Sequence, residues 1–110
     1  MFIAMNRFRV AKGSEEAFEE RWLNREVHLH GEKGFLEFQM LRGPEREDHV
    51  LYASHTVWAS EADFIAWTKS DAFRAAHKDA GESKPLYLGP PDFEGFTAIQ
   101  NIRRADAPAT

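Results

Sequence analysis

The chain has 110 residues, 43% of them hydrophobic, enough for one domain with its own core, and the absence of cysteine excludes a disulfide framework, an iron–sulfur cluster and a thiol nucleophile. Fourteen basic against eighteen acidic side chains give a net charge of -4 spread along the chain, so nucleic acid is not an expected partner. No apolar run is long enough to cross a bilayer, and "MFIAMNRFRV" carries arginines inside it where a leader would be greasy. The expectation is a cytoplasmic protein with no membrane partner.

In chain order the pattern is strand, helix, strand, strand, helix, strand. Residues 2 to 10 alternate, with Phe2, Ala4, Asn6, Phe8 and Val10 on one side and Ile3, Met5, Arg7 and Arg9 on the other. "KGSEE" stops that strand: Gly13 permits a turn, Ser14 is a candidate cap, and Glu15 and Glu16 suit the positive end of a helix. Phe18, Trp22 and Leu29, widened by Leu23 and Val27, give this helix an apolar stripe out to about Gly31. "EKGFLEFQMLR" and "DHVLYASHTVW" read as an antiparallel hairpin joined by the turn-rich "GPERE". Ser60 and Asp63 have capping-box spacing at the start of the second helix, and Ser70 caps a further segment after a break near Lys69. "GESKPLYLGPPD" is a loop, "FEGFTAIQNI" the last strand. Residues 1–103 form the domain and 104–110 a flexible tail.

This order predicts an α+β, ferredoxin-like split βαβ fold, a four-stranded antiparallel sheet with its helices on one face. The other face would expose Ile3, Met5, Tyr52 or Trp58 and apolar residues of the last strand. That predicts a homodimer in which two sheets meet as an α+β barrel.

Three residues stand out against this frame. Asn6 sits in an otherwise apolar set on the first strand, and a buried amide needs a partner from the protein or from a ligand. His77 follows Phe73 by four residues, on or beside the apolar side of its helix, where an imidazole can ligate a metal, move a proton or merely bond a carbonyl. Trp67 follows Phe64 by three. Each alone reads as core or as a satisfied polar group. Together they converge on one cleft between sheet and helices, and an amide opposite an imidazole with an apolar wall between suits a flat apolar cofactor held by an axial ligand.

"MNRFRV", "GFLEFQMLR", "TVWASEADFIAWTKSDAFRAAHK" and "FEGFTAIQNI" resemble the Isd-type haem-degrading monooxygenases of the antibiotic biosynthesis monooxygenase superfamily, over residues 2 to 78 and less closely through the last strand. The resemblance implies Asn6 as a distal amide, Trp67 as a wall that ruffles the porphyrin, and His77 as the axial ligand of haem iron. Phe64, Phe73 and Arg74 fall beside them as haem contacts. It further implies that haem is both cofactor and substrate, that dioxygen is consumed, and that electrons come from a reductase or, in vitro, ascorbate. Iron and a bilin-type product would be released.

Other features weigh less. Arg74 and Lys78 are placed to meet a propionate, although Asp71 can pair with Arg74. Arg7 and Arg9 alternate away from Asn6. His28 and His30 point to different helix faces, and His49 and His55 share a strand face but are too far apart to chelate one ion. The acids of "EEAFEE" read as a solvated face, and the loop after Lys84 as a cover for the haem edge. Two other functions remain open, a non-catalytic haem carrier or storage protein and a cofactor-free oxygenase. A carrier needs neither Trp67 nor Asn6, and a cofactor-free oxygenase would bind no haem.

Overall fold

The computed structural model describes residues 1–24, 29–77 and 86–105, the side chains of Ala76 and His77 excepted. Its elements are β1 (Phe2–Ala11), α1 (Glu15–Leu23), β2 (Phe35–Glu45), β3 (His49–Trp58), α2 (Glu61–Thr68), α3 (Asp71–His77) and β4 (Asp92–Thr97). The strands form one sheet in the order β2-β3-β1-β4, every neighbouring pair antiparallel. β1 and β2 thus run the same way with β3 between them, the split βαβ topology read from the sequence.

Alternation in β1 decides which face the helices cover. Phe2, Ala4, Phe8 and Val10 are buried, and the core divides into two clusters along them. In the first, Phe18 and Trp22 of α1 pack on Phe8, Val10, Val50 and Tyr52. In the second, Phe64 and Trp67 of α2 pack with Leu29 on Phe2, Ala4 and Trp58. Trp58, Tyr52, Phe18 and Val10 are the largest fully buried side chains, each worth about 1.5–3 kcal/mol in surface withdrawn from water. Trp22 stacks on Phe38, ring centroids 6.0 Å apart, and so joins the two clusters on the β2 side.

Local chemistry explains the helix limits. Ser60 Oγ accepts from the Asp63 amide at 3.1 Å and donates to the Asp63 carboxylate at 3.0 Å, as the capping spacing predicts. Ser70 Oγ accepts from the Phe73 amide at 3.1 Å and donates to the Trp67 carbonyl at 2.6 Å, so one hydroxyl ends α2 and starts α3. Gly34 has φ +83°, and a Cβ there would run into the Asp63 side chain, so glycine lets β2 begin beside α2.

Several expectations are corrected. α1 stops at Leu23, Asn24 caps it, and Leu23 is 85% exposed, so the stripe is Phe18 and Trp22 alone. Leu29 is buried but lies outside that helix. Ser14 makes no side-chain cap, and the first-turn Glu15 carboxylate instead takes the amide of Gly13. Tyr52 and Trp58 belong to the core, not to the open face. β4 stops at Thr97, with Ile99 and Ile102 beyond it exposed. Part of the predicted loop docks on the sheet: the Leu88 amide donates to the Arg9 carbonyl and the Ala11 amide to the Leu86 carbonyl, placing Tyr87 against Phe8 and Phe18. Val27, His28, Lys78, the loop segment 79–85 and the tail from residue 106 lie outside the described residues.

Candidate functional site

Between the two core clusters, which Trp22 and Phe38 join on the β2 side, the strand register sets two polar residues side by side. Met40 of β2, Ser54 of β3, Asn6 of β1 and Phe93 of β4 are successive cross-strand partners, one row across the whole sheet on its helix-covered face. Asn6 is half-buried and Ser54 only 6% exposed. Among the described residues, neither side chain has a hydrogen-bond partner. Neither is among the fully buried polar side-chain atoms that lack a partner, so both keep some contact with solvent, where an apolar residue would have closed the core more completely. A row that forgoes that gain is where a ligand's polar atoms can be met.

The wall beside this row is aromatic. Phe93 adjoins Asn6 in register and stacks on Phe64, centroids 5.7 Å apart and planes 7° from parallel. Phe64 lies 6.4 Å from Trp67, and Trp67 meets Phe73 of α3 edge-on at 4.8 Å. Trp67 also rests on Trp58 at 5.5 Å, so it is both core and wall. One connected run of rings therefore leads from the amide on β1 to the third helix. His77 closes α3 one turn beyond Phe73, and its side chain lies outside those described.

Of the residues singled out from the sequence, Asn6, Phe64, Trp67 and Phe73 are brought to one region. Arg74 is on the surface, paired with Asp71 and bonded at 3.5 Å to the Lys69 carbonyl. Sequence reasoning missed Ser54 and Phe93. Ser54 carries a weaker signal than Asn6, because its alternating set on β3 also holds Thr56, and only the register shows that Ser54 and Asn6 are opposite. The acids of α1 are not merely solvated: Glu19 accepts from Arg42 Nε at 2.9 Å, from Arg42 Nη2 at 2.8 Å and from the Tyr52 hydroxyl. The Tyr52 hydrogen bond, then Arg42, hold the Glu19 carboxyl below its ordinary range; burial, then Glu19, push the Tyr52 phenol up. This trio fastens α1 to the sheet on the far side of the first cluster. Among the described residues no group of three or more histidines, aspartates or glutamates is arranged to hold a metal ion.

Residues 1–79 match the antibiotic biosynthesis monooxygenase family. The chain belongs to that family. It is 38% identical over 93 residues to a heme oxygenase (staphylobilin-producing) of Staphylococcus haemolyticus, covering 78% of this chain and 86% of the relative. It is 32% identical over 89 residues to a heme-degrading monooxygenase of Shouchella clausii, covering 81% and 82% of the two chains. Its fold matches that of the heme-degrader MhuD from Mycobacterium tuberculosis, solved with two hemes bound in its active site, at TM-score 0.73 and 26% identity over 94% of this chain and 100% of that one. SnoaB, a cofactor-independent oxygenase from Streptomyces nogalater, shares the fold at TM-score 0.66 and 21% identity, over 94% of this family member and 97% of SnoaB. A ferredoxin-like domain of this family is thus the scaffold on which the polar row and aromatic wall are built.

Proposed function

We propose that the protein is a haem-degrading monooxygenase: it takes haem as its substrate between the sheet and the helices and opens the porphyrin with dioxygen and external electrons, releasing iron and a bilin-type product. The observation that carries this reading is the polar pair between the two core clusters, two unpartnered side chains at the foot of a broad aromatic wall. A flat apolar ring with a polar reaction at its centre suits that combination, and the relatives from Staphylococcus haemolyticus and Shouchella clausii are named for that substrate.

The chain's own residues divide the work. His77, at the end of α3, would hold the iron, and its imidazole basicity would help set the iron's potential. Asn6 would donate a hydrogen bond from its amide to the bound ligand, an oriented dipole beside the aromatic wall. Trp67, with Phe64, Phe73 and Phe93, would hold the ring and bend it, and Arg74, which pairs with Asp71 on the surface, would turn from that pair to meet a propionate. Haem, when bound, supplies the iron at which dioxygen is reduced and the carbon skeleton that is oxidised. No Gly-rich nucleotide loop is legible in the sequence, so a reductase in the cytoplasm, or ascorbate in vitro, delivers the electrons.

The working unit is a homodimer with two sheets face to face. Ile3, Met5, Leu41, Val57 and Phe96 share the sheet face opposite the helices by register, and Leu41 and Phe96 are 39% and 43% exposed. The His55 Nδ1 atom is buried on that face with no partner among the described residues. Covering such a surface stabilises association by about 25 cal/mol for each Å² of apolar area removed from water.

Haemin titration of the purified protein, then ascorbate in air with catalase present, tests the reading. Saturable growth of a Soret band that decays to a bilin spectrum is the expected result. A Soret band that persists with ascorbate and with a reductase would make the protein a carrier, and no saturable Soret change would remove haem from the site.

A further inference from the structure

We infer that Ser54 is a positioning residue of the haem site, holding the Asn6 amide in place once a ligand has turned Nδ2 toward itself. This rests on the haem reading above and concerns a residue that reading does not use.

The two ends of an asparagine amide have the same shape and opposite polarity: Nδ2 donates two hydrogen bonds and Oδ1 accepts them. A distal amide is useful only when Nδ2 faces the ligand, and turning it over replaces attraction by repulsion at the same atom. A ligand that accepts a hydrogen bond draws Nδ2 toward itself, and a second polar group must then meet Oδ1 to hold the amide there. Among the described residues, nothing hydrogen-bonds the Asn6 side chain in this structure.

Ser54 is the group so placed. It is the cross-strand partner of Asn6, on the same face, where directly opposed Cβ atoms lie about 4.5–5.5 Å apart. It is 6% exposed, it has no side-chain partner among the described residues, and the large residues of its own alternating set, Val50, Tyr52 and Trp58, are all buried core. The other cross-strand neighbours in the row, Met40 and Phe93, offer no comparable donor. A serine hydroxyl rotates freely and can donate to Oδ1 once a ligand draws the amide into register, leaving both Nδ2 hydrogens directed at the ligand. It stands beside the amide on a central strand of the sheet, a rigid element suited to holding such a group.

The test uses wild type, Asn6→Ala, Ser54→Val, Ser54→Thr and Ser54→Ala, each loaded with haem, reduced, and exposed to carbon monoxide. The infrared stretching band of bound carbon monoxide reports a hydrogen bond from the distal side without any turnover. Threonine and valine have nearly one shape and differ by the hydroxyl. Ser54→Thr is expected to keep the wild-type band, and Ser54→Val to move it to the position given by Asn6→Ala. Ser54→Ala, which adds no bulk, is expected to move it likewise and serves if the valine variant does not fold. A wild-type band in both Ser54→Val and Ser54→Ala overturns the inference while leaving the haem reading intact. Failure of the wild type to bind haem overturns both.

Discussion

The rings of Phe64 on α2 and Phe93 on β4 stack 5.7 Å apart and within 7° of parallel, and this contact joins the last strand to the helix that carries Trp67. Phe93 is 51% exposed, so its ring is spent on a wall more than on the core. Phe93→Ala is expected to cost only about 1 kcal/mol of stability, the scale of one aromatic pair, while weakening haem binding measured by Soret titration. Unchanged affinity would take β4 out of the site.

Ser70 sets the angle between α2 and α3 by capping one and closing the other, and Trp67 and Phe73 meet edge-on across that break. Ser70→Ala should lower stability by about 1 kcal/mol, as loss of an N-cap does. It should also weaken haem binding measured by Soret titration, because Trp67 and Phe73 no longer hold their edge-on contact. Ser60→Ala removes the equivalent cap from α2 and supplies the comparison, since it leaves the break between the helices intact.

The Glu19, Tyr52 and Arg42 trio makes stability depend on pH at both ends. The Glu19 carboxyl is held below its ordinary value, first by the Tyr52 hydrogen bond and then by Arg42. As pH falls, the unfolded chain takes up that proton first. The stabilisation is therefore present above the usual carboxylate range and is lost as pH falls through the folded value. Tyr52 is pushed up by burial, so its share is full below the ordinary tyrosine value and is lost as pH rises through the folded one. Urea midpoints against pH should show the acid slope weakened in Glu19→Gln and the alkaline slope weakened in Tyr52→Phe. Parallel curves for wild type and both variants would contradict the coupling.

The sheet was legible because its signals are local. Strict alternation in β1, the Ser60 and Ser70 caps and the succession of two strands each act within a few residues of where they are read. The errors come from tertiary context. Both alternating sets of β3 contain apolar residues, so the side taken by Tyr52 and Trp58 depended on packing against α1 and α2. The apolar stripe ran past Leu23 on paper, yet the helix ends there and Leu29 reaches the core from outside it. Asn6 stood out because its neighbours at spacing two, Ala4 and Phe8, are apolar. Ser54 shares its alternating set with Thr56 and gains its meaning from a partner 48 positions away, and Phe93 from the register of β4 against β1, which no nearby residue specifies.

A charge on the open face should dissolve the proposed dimer without unfolding the protomer. Leu41 and Phe96 are partly exposed in the single chain, so Leu41→Glu and Phe96→Glu disturb little there. In a closed interface each would bury an unpaired carboxylate, at a cost of several kcal/mol. Light scattering at micromolar concentration should give a dimer for wild type and a monomer for the double variant. A wild-type monomer would remove the two-sheet assembly.

His77 and Asn6 separate binding from chemistry. If His77 is the axial ligand, His77→Ala loses the histidine-ligated Soret position and binds haem weakly, and added imidazole restores part of the spectrum because it can fill the vacated place on the iron. Asn6 acts only by hydrogen bonding, so Asn6→Ala should keep the Soret titration near wild type and lower turnover with ascorbate by on the order of 100-fold, the scale of losing one oriented donor. Asn6→Asp is the sharper variant, since it keeps the shape and replaces donors with acceptors. Turnover of Asn6→Asp equal to wild type would mean that the half-buried amide at the centre of the polar row serves the fold alone.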